Sequence, residues 1–192
     1  MKKALVIVAH PDDETIWMGG KIIREKNWNW TIVSLCRKDD QDRKPKFFNA
    51  CRAFNARAFI SDLDDETPEE KLKDLNEITK RIEPIVMDKE FDYVFTHGAN
   101  GEYGHNRHIE VNKTVRRMVR DEAINCKNLF EFSYLKCEEP FRCKPNKKSD
   151  LLELSAEEFE KKRYLINKVY CFDKDSFEYL SCSETESFKK VF

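Results

Sequence analysis

Ala4-Leu5-Val6-Ile7-Val8-Ala9-His10-Pro11-Asp12-Asp13-Glu14 is the stretch from which the fold of this chain can be read. Six consecutive apolar residues, rich in Val and Ile, predict a strand buried on both faces, because a half-exposed strand alternates. The run stops at an imidazole, a turn-stiffening proline and three carboxylates. In open α/β sheets ligands and chemistry sit at this place, beyond the carboxyl end of a strand. Two lysines precede the run, as in an export signal, but six apolar residues are too few for its hydrophobic segment and acids follow at once. No export signal is expected.

Reading on from this strand, residues 14–25 predict a helix with Ile16, Trp17, Ile22 and Ile23 on its inner face, and Trp30–Cys36 a second strand. Lys46–Asn55 places Phe47, Ala50, Cys51 and Phe54 at i, i+3, i+4 and i+7, a helical spacing. Ala58–Ile60 predicts a third strand ending at the acidic turn Asp62–Glu66. Thr67, Pro68, Glu69 and Glu70 carry the N-cap, first-turn proline and box acid of a helix start, predicting a helix to about Met87 that is disturbed at Pro84. Phe91–Thr96 predicts a fourth strand, followed by a loop over 97–104 and a helix over 106–120. Asn128–Leu135 reads as a further strand. Ser155-Ala156-Glu157-Glu158 is a second capping box, opening a helix to about Lys168. Strands alternating with helices predict one α/β domain over residues 1–192, with a mostly parallel, Rossmann-like sheet and helices on both faces. The segment 138–150, holding Pro140 and Pro145, is expected to be flexible.

Composition narrows the function classes. Among 192 residues, 35 Lys and Arg face 36 Asp and Glu, so the net charge of −1 argues against a nucleic-acid partner, whose phosphates call for surplus positive charge. A 40% hydrophobic and 12% aromatic content is enough for a core, and only 5 Gly and 6 Pro exclude collagenous or linker-like chains. No run approaches the ~20 apolar residues of a membrane span, and a cytoplasmic protein is the default expectation. Seven cysteines, an odd number without a C-x-x-C pair, speak against a disulfide framework or a zinc ribbon. Cys36 ends the second strand and is expected to line the site beyond it, not to bind metal.

The chemistry-bearing residues fall in two segments that the predicted strands bring to one sheet edge. The first is His10 to Glu14. The second is Gly101-Glu102-Tyr103-Gly104-His105-Asn106-Arg107-His108, after the fourth strand, and His97 ends that strand. His105 and His108 share a face if the helix has begun. Two histidines, one aspartate and an open position make up a common catalytic zinc site. Asp12 and Asp13 are adjacent, so only one readily points at a given metal, which suggests one ligand and one base. A nearby histidine can donate to an oxyanion or leaving amine.

The hexapeptide Ala9-His10-Pro11-Asp12-Asp13-Glu14, the pair Gly19-Gly20 and the downstream Tyr103-Gly104-His105-x-x-His108 resemble the zinc-dependent N-acetylglucosaminyl de-N-acetylases, the PIG-L or LmbE-like family, from about residue 4 to 120. The resemblance implies His10, Asp13 and His108 as ligands of zinc, or of another divalent metal such as Fe2+. It implies Asp12 as general base, His105 as a protonated donor, Tyr103 as an aid to the oxyanion and Arg43 as a substrate contact. The substrate it implies is a small N-acetylated amino sugar, with room for a homo-oligomer. Two positions depart from the family pattern: Arg107 stands where many members have an Asp beside His105, and Lys46 where many have an acid. Both are expected to add positive charge at the mouth and so to favour a phosphate- or carboxylate-bearing substrate, with Arg107 contacting that substrate or lowering the proton affinity of His105. The competing readings are another amide hydrolase on the same scaffold and a catalytically silent metal- or nucleotide-binding protein. Against the nucleotide, no G-x-G-x-x-G follows the first strand, and Gly19-Gly20 falls inside the first helix.

Overall fold

The apolar run after Lys3 becomes the central strand of the sheet, with Ala4 to Ala9 wholly buried. In the computed structural model, which describes residues 1–67 and 69–192, the chain starts as β1 (Lys3–Val8), α1 (Asp13–Arg24), β2 (Asn29–Ser34), α2 (Arg43–Ala53) and β3 (Arg57–Ile60). It continues as α3 (Asn76–Val86), β4 (Glu90–Phe91), β5 (Tyr93–Thr96), the single turn α4 (Gly101–Gly104), α5 (Asn106–Arg120), β6 (Asn125–Cys126) and β7 (Leu129–Phe132). The last part holds β8 (Tyr134–Cys137), β9 (Arg142–Pro145), β10 (Asp150–Glu153), α6 (Ala156–Tyr164) with a π-turn over Leu165–Val169, α7 (Phe177–Ser181) and β11 (Thr185–Lys190).

Seven strands form one sheet in the order β10-β11-β7-β5-β1-β2-β3. The five from β7 to β3 are parallel, and β11 and β10 add an antiparallel edge. The fold is therefore the expected single α/β domain with a mostly parallel sheet. Alternation along β1 divides the core into two layers. Ala4, Val6 and Val8 pack with Ile16, Trp17 and Ile22 of α1 and with Phe47 of α2. Leu5 and Ile7 pack on the other face with Ile78 and Ile82 of α3 and with Val111 and Val115 of α5. From β1 the chain winds outward through β2 and β3, then returns to place β5 on the opposite flank. That reversal opens a crevice beyond the ends of β1 and β5, which is where the site lies.

The Gly19-Gly20 pair has a packing cause. α1 is kinked at Met18 (φ −149°, ψ 15°), which frees backbone donors one turn later. The Gly20 and Lys21 N–H groups donate to Glu186 of β11 at 2.7 and 2.8 Å. The buried charge of Glu186 is met by Lys162 Nζ of α6 at 2.7 Å. A Cβ on Gly20 would stand 2.3 Å from a methyl of the Leu154 side chain, so the glycine leaves the room that this side chain fills.

One helix start is corrected. Glu70 N–H donates to the Thr67 carbonyl at 3.0 Å in a turn, and the next helix among the described residues, α3, begins at Asn76; Pro68 lies outside the described residues. Between Glu69 and Leu75 only Leu72 and Leu75 could face a core, too little for a helical stripe. Tertiary partners take up the backbone instead: Leu72 N–H donates to Glu110 at 2.8 Å, and the Glu69 carbonyl accepts from Asn106 at 2.8 Å. The expected strand over 128–135 divides at Ser133, with β7 staying in the sheet and β8 turning into a hairpin with β9. The segment 138–150 holds this hairpin's turn and β9. All seven cysteines are free. No helix of the described residues is long and apolar enough to cross a membrane.

Candidate active site

The loop after β1 reverses sharply at Asp12, whose φ of 107° lies where L-residues are strained by ~1–3 kcal/mol. Its carbonyl accepts from Thr15 and Ile16 N–H, both at 2.9 Å, and its N–H donates to Glu14 at 3.1 Å. Buried Glu14 is in turn held by the Tyr170 hydroxyl at 2.7 Å, and burial raises its carboxyl to about 7. The reversal sends neighbouring carboxylates in different directions: Asp13 toward His10, His97 and His108, Asp12 toward Arg43.

His10, Asp13 and His108 converge. His10 Nδ1 lies 3.2 Å from His108 Nε2 and 3.3 Å from Asp13 Oδ2, and the third side, His108 Nε2 to Asp13 Oδ2, is 3.5 Å. A tetrahedral ion with arms of ~2.0–2.1 Å has ligand–ligand edges of ~3.3 Å. Two imidazole nitrogens and a carboxylate oxygen at this spacing fit zinc or a similar divalent cation.

Each of the three is aimed by a partner. His10 Nε2 lies 2.8 Å from Asp65 Oδ2, which leaves Nδ1 for the cluster. His108 Nδ1 lies 2.6 Å from Glu102 Oε2, which leaves Nε2. Asp13 Oδ1 accepts from the Trp17 indole at 2.9 Å, and Oδ2 accepts from the His10 backbone at 2.8 Å. His97 is stacked on His108 at 3.8 Å and bonds Glu102 at 2.9 Å. Its Nε2 accepts the Ala9 N–H at 2.9 Å, so it braces the two strand ends. Burial opposes a charged His10, but the Asp13 and Asp65 carboxylates outweigh it and raise the imidazole to about 9. The cluster attracts positive charge.

Asp12, His105, Tyr103 and Arg43 line a cavity of about 310 Å3 over this triangle, together with Trp17, Arg37, Asp40, Asp65, Phe177 and Glu178. Burial and the Asp13 charge push the Asp12 carboxyl up, opposed by the Arg43 guanidinium that contacts it. Arg43 also lies over the Phe172 ring, 4.6 Å from its centre. His105 caps α5, its Nδ1 accepting the Arg107 N–H at 3.2 Å. An occupied Nδ1 lone pair makes the ring neutral, with its proton on Nε2. Burial and the neighbouring His108 and His10 press in the same direction, to about 3. The His105 ring is thus held neutral, which differs from the protonated state that the family resemblance implies. Burial raises the Tyr103 phenol, which stays protonated.

Arg107 is not at the mouth. It is 2% exposed, paired with Glu110 at 2.5 Å and 3.6 Å from Asp65. Lys46 is paired with Asp42 at 2.6 Å. Neither adds free positive charge to the cavity, and the expectation of an anionic substrate loses its basis. Cys36 lies near His10 and Asp65, and burial keeps its thiol protonated. Sequence reasoning missed Asp65, Glu102, Phe177 and Glu178. Asp65 was visible only as part of an acidic turn, and Phe177 carries no local signal of a site.

The sequence model of one family, described as PIG-L: GlcNAc-PI de-N-acetylase, matches residues 5–119. An uncharacterised protein of Acanthamoeba polyphaga mimivirus is 27% identical over 144 residues, which are 68% of this chain and 61% of that relative's length. Among solved structures, N,N'-diacetylchitobiose deacetylase from Pyrococcus horikoshii superposes with a TM-score of 0.68 at 17% identity, covering 99% of this chain and 84% of that one. The 4-carboxy-2-hydroxymuconate hydratase GalB from Pseudomonas putida superposes with a TM-score of 0.67 at 16% identity, covering 100% of this chain and 97% of that one. At such identities the superpositions show the fold.

Proposed function

The chain belongs to the PIG-L family, described as GlcNAc-PI de-N-acetylases, and from that premise we propose that it is a metal-dependent hydrolase removing the N-acetyl group of a GlcNAc-like amino sugar conjugate. The observation that carries this reading is the triangle of His10, Asp13 and His108 with the separate carboxylate of Asp12 beside it. A bound divalent ion would supply hydroxide at neutral pH, by lowering the pKa of water from ~15.7 to ~7. His10, Asp13 and His108 would hold it.

The remaining steps belong to the chain's own groups. Asp12, raised by burial, accepts the proton of the attacking water and carries it to the leaving nitrogen. His105 Nε2–H and the Tyr103 hydroxyl donate to the carbonyl oxygen as it gains charge. Arg43 holds Asp12 in place and borders the bound sugar. The C–N bond breaks, giving acetate and a free amine.

The test joins metal content with acetate release from N-acetylglucosamine. Wild-type protein is expected to hold one divalent ion and release acetate. His10→Ala and His108→Ala lose the ion, whereas Asp12→Asn keeps it and slows ~10²–10⁴-fold. Metal loss in Asp12→Asn would exchange the roles of the two aspartates. Bound metal without acetate from any N-acetyl amino sugar would favour the silent binding protein, and cleavage of non-sugar amides alone would favour another amide hydrolase.

A further inference from the structure

We propose that Arg107 is a positioning residue for the metal cluster: it holds Asp65 against His10, and so sets the aim of a ligand that it does not itself touch. This rests on the metal-binding part of the de-N-acetylase reading. It also gives a role to the position where the chain departs from the family pattern.

His10 sits in the loop after β1, but the carboxylate behind its Nε2 comes from the crossing between β3 and α3, where Asp65 Oδ2 lies 2.8 Å away. The described residues of that crossing form no helix or strand, and α5 holds it at three places. The Leu72 N–H donates to Glu110 at 2.8 Å, and the Asn106 side chain donates to the Glu69 carbonyl at 2.8 Å. At the third, Arg107 Nε lies 3.6 Å from Asp65 Oδ1. Asn106, Arg107 and Glu110 stand at the start of α5, beside His108. One short stretch of helix thus carries His108 of the cluster and the clamp that delivers a partner to His10.

Arg107 reaches both acids, with Nη1 on Glu110 at 2.5 Å and Nε facing Asp65. A carboxylate taken out of water needs an opposite charge that is also out of water. A second guanidinium, Arg37, reaches Asp65 at 3.1 Å but is 43% exposed, where solvent weakens its pull. Arg107 is buried. Asp65 Oδ1 and Arg107 Nε have no hydrogen-bond partner among the described residues, so charge joins them across the gap. Such a contact depends on where the cation stands. A lysine ammonium is a single point and can serve one acid, whereas the guanidinium fork spans two.

The experiment withdraws Zn2+ from full-length loaded protein with a chromophoric chelator, in wild type, Arg107→Lys, Asp65→Ala and the double variant. Arg107→Lys keeps a cation for Glu110 and should fold as wild type does, read from near-UV circular dichroism. Its zinc affinity should fall about five- to tenfold where Asp65 is present and less than about twofold where residue 65 is alanine. Equal losses in the two backgrounds would reduce Arg107 to a structural residue, and no loss in either would detach it from the cluster; each overturns the proposal. Hydrogen exchange on wild type needs no variant. Coupling is reciprocal, so zinc should slow exchange of the Leu72 amide, and an amide indifferent to zinc would overturn the clamp. Zinc affinity coupled to Asp65 without acetate release from any N-acetyl amino sugar leaves the positioning role standing and ends the de-N-acetylase reading. Acetate release without that coupling does the reverse, and a wild type that binds no zinc would end both.

Discussion

Asp12 and Asp13 are neighbours in the chain with opposite surroundings, and the positive φ of Asp12 is what separates them. Asp13 is stabilised as an anion by His10, His97 and His108 and is drawn down despite its burial. Asp12 is raised by burial and by Asp13 itself. The same logic extends to carboxylates that never touch the cluster centre. Asp65 and Glu102 each set which nitrogen of a histidine faces inward. Such partners are worth ~10–100-fold in metal affinity. Asp65→Ala and Glu102→Ala should therefore weaken metal binding by about that factor, measured by competition with a chromophoric chelator. Unchanged affinity in both variants would mean that packing alone orients the two rings. Asp65 also carries a strain of its own: its Oδ1 and the Arg107 Nε are buried without a hydrogen-bond partner among the described residues, 3.6 Å apart.

Among the elements, two identical-looking helix starts met different fates. At Ser155 the box forms, with Glu158 N–H donating to the Ser155 hydroxyl and Ser155 N–H donating to Glu158 at 2.8 Å. At Thr67 it does not form. Ser155→Ala should cost ~1 kcal/mol and Thr67→Ala less than ~0.5 kcal/mol, read from urea midpoints. A comparable loss at Thr67 would show that the N-terminal box persists in solution. The difference arises because α6 has a surface to pack on, α1, while the residues after Thr67 are drawn over α5 by Glu110 and Asn106. Where a short polar segment lacks an apolar stripe, tertiary hydrogen bonds decide its path.

For the whole molecule, the C-terminal third is tied to the first helix by charge. Lys162 and Glu186 are fully buried, and Glu186 has its other bonds to the kinked turn of α1. Removing one member of such a pair strands the other, so Lys162→Met should lose ~3–5 kcal/mol, read from a denaturant titration. Loss below ~1 kcal/mol would mean that Glu186 becomes protonated or hydrated at little cost. A second tie is Arg24 of α1 to Glu158 of α6 at 2.6 Å, which, with the capping bonds, holds the Glu158 carboxyl down to about 2. A depressed carboxyl contributes stability above its ordinary value near 4.5, and that contribution disappears as pH falls toward 2. Between pH 6 and pH 3 wild type should therefore lose more stability than Glu158→Gln. Parallel curves for the two proteins would refute the tie.

Much of this molecule is local in origin. An unbroken apolar run specifies a strand buried on both faces, and the strand specifies where a following His-Pro-Asp-Asp must lie. For that reason β1, β2 and the sheet's parallel character could be named from spacing alone, whereas His10, Asp13 and His108 are singled out only by the family resemblance; the fold brings their ligand atoms within 3.5 Å of one another. What spacing could not supply are groups that arrive from elsewhere in the chain with no periodic pattern of their own. Asp65 reaches His10 from an irregular crossing, Phe177 reaches the cavity from a five-residue helix, and Arg107 turns away from the mouth to meet Glu110. Local sequence encodes backbone preference and burial, both properties of near neighbours. The direction of a charged side chain depends on which opposite charge is closest in space, and only the folded chain determines that.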